Sequence, residues 1–163
     1  MRMFVVAGLV MAVAACADPA AAPVPSPSPT RTAADLGKDE WVDVIDDLNC
    51  DPINQGVEVG DRILADLRGT GVQDVIVSVD CVHFNAGWPD QVAVYDGSSS
   101  AAAPVRLGVL LDDDEHLLVR KITVAGARVT ISTAGWRDSD SFCCPSILAG
   151  RTLVWNGTGF TAG

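Results

Sequence analysis

From Val75 to Cys81 the chain alternates. Val75, Val77, Val79 and Cys81 fall on one side, and Ile76, Ser78 and Asp80 on the other. Period-two alternation of β-branched residues predicts a strand with one face on a core. The glycine-punctuated stretch before it (Asp66 to Asp74, DLRGTGVQD) predicts the turn that starts it. This is the cleanest strand signal in the chain, and it places the segment centrally in a sheet. Further strands are expected from Gly56 to Leu64, Gln91 to Tyr95, Arg106 to Leu111, Leu118 to Val124, Arg128 to Ser132 and Arg151 to Trp155, with a short return at Phe160. Ala125-Gly126-Ala127 reads as a hairpin turn, and Asn156-Gly157 as a type I′ turn. Only Lys38 to Asn49 has the helical period: Trp41, Val44, Ile45 and Leu48 fall at i, i+3, i+4 and i+7. The pattern predicts a single mainly β (α+β) domain over residues 35–163. It has about six to eight mostly antiparallel strands, with one N-terminal amphipathic helix laid on the sheet.

The apolar pattern before the domain has a different meaning. Arg2 followed by an apolar run from Phe4 to Ala15 is too short to span a bilayer, which needs about 20 residues, and reads as an export signal over residues 1–15. It ends in Val13-Ala14-Ala15-Cys16, which resembles a bacterial lipobox, so Cys16 is the expected lipidation site. Two acyl chains suffice for stable anchoring. Residues 16–34, rich in Pro, Ala and Ser, form a low-complexity tether biased to extended polyproline II. The expected location is the extracytoplasmic face of the cell membrane.

Charge narrows the partners. The formal net charge is −10 over 163 residues, and removing Arg2 with the leader leaves −11. No basic patch is visible in the sequence to neutralise phosphates, which argues against a nucleic-acid partner. An anionic membrane surface would repel the domain for the same reason.

Beyond Cys16, four cysteines remain: Cys50, Cys81, Cys143 and Cys144. An even number in an exported domain predicts disulfides, and four allow three pairings. The preferred arrangement bonds Cys143 and Cys144 each to one of the distant pair, because a ring closed between neighbours strains the peptide. Cys50–Cys81 is the alternative, and a metal site is disfavoured by the absence of Cys-x-x-Cys spacing.

The 66–74 loop resembles the calcium loop of integrin-type FG-GAP repeats, leaving Asp66 and Asp74 as weak metal candidates. Arg68 and Thr70 stand where that pattern wants further acids, so a structural turn is favoured. Asp112 to Glu115, Asp138 and Asp140 read as solvated acids, and His83 and His116 have no nucleophile motif around them. Trp88, Trp136 and Trp155 read as packing anchors. No nucleotide, zinc-protease or serine-hydrolase motif is present, and neither a cofactor nor catalytic residues are expected.

Several stretches together resemble the LppP/LprE-type lipoproteins of actinobacteria, mycobacteria included. They are the lipobox and tether, the Gly60 to Gly71 segment running into the Val-rich strand, Gln91 to Gly97 (QVAVYDG), Cys143-Cys144-Pro145, and Thr152 to Phe160 (TLVWNGTGF). The resemblance implies a cell-envelope lipoprotein and carries over no catalytic residues. The resulting expectation is a membrane-anchored envelope domain, more a binder of a protein, glycan or lipid than an enzyme. The alternatives are a carboxylate hydrolase and a calcium-dependent adhesion module. A cleft holding carboxylates with displaced pKa values would favour the enzyme, and a large apolar groove the binder.

Overall fold

The computed structural model describes residues 30–45, 56–82, 89–141 and 143–163. The leader, Cys16, most of the tether, Cys50, His83 and Trp88 lie outside the described residues. The molecule is mainly β, as the alternation predicts. Eight strands form two four-stranded antiparallel meanders: β1 (Val57–Ala65), β2 (Asp74–Cys81), β3 (Gln91–Tyr95) and β4 (Arg106–Leu111) in one sheet, then β5 (Leu117–Ala125), β6 (Arg128–Gly135), β7 (Ile147–Trp155) and β8 (Phe160–Ala162) in the other. Among the described residues no helix is long and apolar enough to cross a membrane.

The two faces of β2 explain the layering. Val75, Val77 and Val79, with Ala93 and Tyr95 of β3, pack beneath Ala33, Leu36, Trp41 and Ile45. Trp41 is fully buried, with its ring centroid 4.7 Å from that of Tyr95. Ile76 on the opposite face joins Val92, Val94, Leu110 and Leu111, which meet Ile122, Val129 and Ile131 of the second sheet. The order is therefore N-terminal segment, first sheet, second sheet. At about 1.5–3 kcal/mol for each fully buried aliphatic side chain, these two cores hold the layers together.

Four sequence expectations need correction. The helix α1 covers only Lys38–Val42, followed by a turn at Asp43 and Val44, with Trp41 and Ile45 both seated in the core and Val44 packed against it. The remainder of the expected helix, residues 46–49, lies outside the described residues. The folded contacts begin before Asp35: Thr32 bridges Ser100, and Ala33 donates its N–H to the Ser99 carbonyl at 2.8 Å. β7 starts at Ile147 rather than Arg151, since β6 pairs with it throughout and supplies the ladder that local alternation does not announce. The 156–159 loop is no two-residue type I′ turn. Gly157 alone takes a positive φ, and Asn156 Oδ1 accepts the N–H groups of Thr158 and Gly159 at 3.0 Å each. The hairpin at Gly126-Ala127 is as expected, with Gly126 at φ +58° in a two-residue loop.

Candidate functional site

Asp74 and Asp80 stand at opposite ends of β2, and the two ends are built differently. At the Asp74 end, the preceding loop closes on itself. Gly69 and Gly71 take positive φ, and the Asp66 carboxylate accepts the N–H groups of Thr70 and Gly71, each at 2.9 Å. Arg68 reaches back and binds two carboxylates. Its Nε and Nη2 lie 2.9 and 2.8 Å from Asp74 Oδ1, and Nη2 lies 2.7 Å from Asp96 Oδ1. The Arg68 guanidinium, helped by Ser98, holds the Asp96 carboxyl down at about 2. Asp74 is fully buried with Oδ2 unpartnered, and its burial pushes it upward despite Arg68. The chain here is tightly built: a side chain at Gly97 would lie 1.9 Å from the Gln73 carbonyl oxygen. Asp66 and Asp74 thus do not face a common space. Asp66 caps its own loop, and Asp74 is held by the arginine that replaces an acid of the calcium pattern.

The Asp80 end is open. Along the inter-sheet face of β2, Ile76 is core, Ser78 is buried and polar, and Asp80 is half-buried. Glu58 of β1 stands directly across from Asp80. One position beyond the Val79–Gln91 pair, the register brings Asp90 to its other side. Three carboxylates in a row across adjacent strands repel one another. A bulge in β1 between Val59 and Arg62 adds Asp61, whose N–H donates to Ser78 Oγ at 2.7 Å. Gly60 permits this approach, because a Cβ there would sit 3.0 Å from that oxygen. Glu58, Gly60, Asp61, Ser78, Asp80, Asp90 and Val119 line a cavity of about 340 Å³.

Asp90 also straps the sheets together. Its N–H donates to the Leu117 carbonyl at 2.9 Å, and its carboxylate accepts the N–H of Val119. Desolvation pushes Asp90 up to about 7, with Asp80 and Asp61 adding to the shift. Asp80 is raised by burial and by Glu58. Sequence reasoning named neither Asp80 nor Asp90 as a site residue. The available signal was a polar pair, Ser78 and Asp80, on a face that begins as core.

Elsewhere the expected acids serve their own turns. Asp112 accepts the Asp114 N–H at 3.2 Å, and Glu115 pairs with Arg151. Asp112, Asp113 and Asp114 are the one trio among the described residues with ligand atoms within 4.8 Å of one another. His116 ends that turn in a left-handed conformation. Asp140 accepts the N–H groups of Arg137 and Ser146 at 2.8 and 3.0 Å, which organises the loop before β7. In that loop Cys143 is bonded to Cys144, overturning the expected pairing of each with a distant cysteine. The physical reason is location. Cys81, also disulfide-bonded, is buried in the first sheet on the face turned to the N-terminal segment, whereas Cys143 and Cys144 are exposed beside the second. Trp155 stacks edge-on against Phe160, with centroids 5.2 Å apart, and Trp136 is half-buried at the end of β6.

No family model matches the chain, and no curated protein or solved structure matches it either.

Proposed function

We propose that the protein is a lipid-anchored, extracytoplasmic binding domain of the cell envelope whose acidic cleft receives an amine-bearing ligand. The carrying observation is the row Glu58, Asp80 and Asp90 with Asp61 beside it, lining a cavity whose wall, among the described residues, holds no arginine or lysine side chain. Glu58 and Asp61 are exposed and Asp80 and Asp90 half-buried, and crowded carboxylates of this kind gain when a cation arrives between them. The lipobox at Val13 to Cys16, the Pro-rich tether and the resemblance to LppP/LprE-type lipoproteins support the anchoring. Spermidine is a suitable amine probe. It should raise the melting temperature of the wild type, and the rise should vanish in Asp80→Asn/Asp90→Asn, while a neutral oligosaccharide leaves both unmoved. A spermidine response that survives the double substitution sinks the cleft reading. Anchoring is tested separately, because Cys16→Ala should release the protein from the membrane fraction.

The displaced carboxyls favour one second reading, a hydrolase with Asp90 as proton donor at neutral pH. Against it, one Asp90 oxygen is already committed to the Val119 N–H as a strut. The hydrolase reading would win if Asp90→Asn abolished a hydrolytic activity while leaving spermidine binding intact.

A further inference from the structure

Exposed sheet edges invite pairing with other chains, and proteins guard them with charges, bulges or short strands. Three edges here carry such guards. β1 has Glu58, Asp61, Arg62 and a bulge. β4 carries Arg106 and two register irregularities. β5 presents Arg120 and Lys121 at an irregularity. The fourth edge does not conform. β8 is only three residues long and pairs with Leu153 to Trp155, so the first half of β7 lies beyond it. That half, Ile147 to Gly150, is exposed at every residue and contains no charge, proline or irregularity. Leu148 is 79% exposed, the most exposed large hydrophobic side chain among the described residues.

The ladder shows which way the backbone points. Thr152 accepts the Gly163 N–H on the β8 side, whereas Trp155 donates to Ala127 on the β6 side. By the alternation of antiparallel pairing, Leu148 and Gly150 direct their N–H and C=O groups to the open side. We infer that this edge pairs antiparallel with the same segment of a second copy, across a two-fold axis at Ala149.

Shape and charge both favour a second copy. On that axis Leu148 stands opposite Gly150 of the other copy, and Gly150 opposite Leu148. They exchange four backbone hydrogen bonds, and the large side chain covers the position that has none. Opposite residues share a face, so Leu148 loses its exposure without meeting a second bulky side chain. No like charges meet: Arg151, the nearest, is held by Glu115. Residues 117–163 carry five basic side chains (Arg120, Lys121, Arg128, Arg137 and Arg151) against two acids (Asp138 and Asp140). This is the half through which two copies of an otherwise acidic chain can meet with least repulsion. A two-fold, self-complementary contact also closes at the dimer rather than propagating.

Sedimentation of the full chain in detergent over a micromolar concentration series tests the inference. The wild type should dimerise. Leu148→Lys, which installs the missing guard, should weaken dimerisation by about tenfold or more with an unchanged circular-dichroism spectrum. Ala149 meets its own copy in a non-hydrogen-bonded pair, about 4.5 Å apart between Cα atoms, so Ala149→Cys should form a covalent dimer on mild oxidation. A wild type that stays monomeric overturns the inference, including one whose edge captures an unrelated extended peptide instead. So does a dimer that Leu148→Lys leaves intact, or an Ala149→Cys variant that fails to cross-link.

Discussion

The two ends of β2 carry the same chemistry in opposite states. At one end Asp74 and Asp96 converge on Arg68, which touches both. At the other, Asp80 stands between Glu58 and Asp90, and among the described residues no arginine or lysine lines the space they share. Compensated acids inside a tight turn have no further work to do once the chain is folded, so the first end reads as structure. Acids crowded together in a cavity cost stability, and a fold that retains them has a use for the cost. The difference therefore separates a structural node from a candidate site more sharply than counting acidic residues could.

The largest test of the comparison is Arg68→Met. It strands Asp74, a fully buried carboxylate, without its only charged partner among the described residues. Breaking a buried pair in this way costs about 3–5 kcal/mol, measurable by urea denaturation at neutral pH. The loss should shrink in acid, where Asp74 takes up a proton and no longer needs the arginine. An equal loss at both pH values would mean that Arg68 stabilises by packing alone.

The second test has the opposite sign. Asp90 in the folded protein titrates near 7, above the usual aspartate value. The folded state therefore holds a proton that the unfolded state has released, and stability falls as pH rises from about 4 to about 7. Asp90→Asn keeps an oxygen for the Val119 N–H but cannot ionise. It should stabilise the protein by about 1–3 kcal/mol at pH near 8 and flatten the pH profile between those values. Asp96 works in the other direction, since its carboxyl is held at about 2 and its contribution is lost only as pH falls below the usual aspartate range. Wild-type stability should therefore peak in mild acid. A destabilised Asp90→Asn would show that the ionised carboxylate stabilises the cleft, removing the contrast between the two ends.

The smallest expected effect is at the node. With Arg68 already between Asp74 and Asp96, and Asp66 committed to the N–H groups of Thr70 and Gly71, millimolar Ca²⁺ should leave the melting temperature unmoved, and a chelator likewise. A rise of several degrees that Asp74→Ala abolishes would restore the calcium-loop reading.

Much of this was legible before any coordinates. The alternation through β2 put Val75, Val77 and Val79 on one face and Ile76 on the other and predicted one face on a core, whereas both faces enter cores. Arg68 already marked the loop as hostile to a cation. Ser78 and Asp80 sat in the same alternation as an unexplained polar pair. The partners that make each end what it is were not legible, because they are distant in the chain. Asp96 joins Arg68 across 28 positions, and Asp90 reaches Val119 across 29. Local pattern also missed the first half of β7, where Ile147 to Gly150 has no alternation and takes its strand form from β6. The pairing of Cys143 with Cys144 depended on which layer each cysteine entered, a question that spacing does not answer.

The sequence by itself determined the strand faces and the turns with their glycines. Each of these is a property of a few neighbouring residues, governed by backbone sterics and side-chain period. Only the tertiary structure decided which acids would be neutralised and which left facing a cavity. Charge interaction depends on distance and burial in space, and both are fixed only when β1, β3 and the second sheet close around β2.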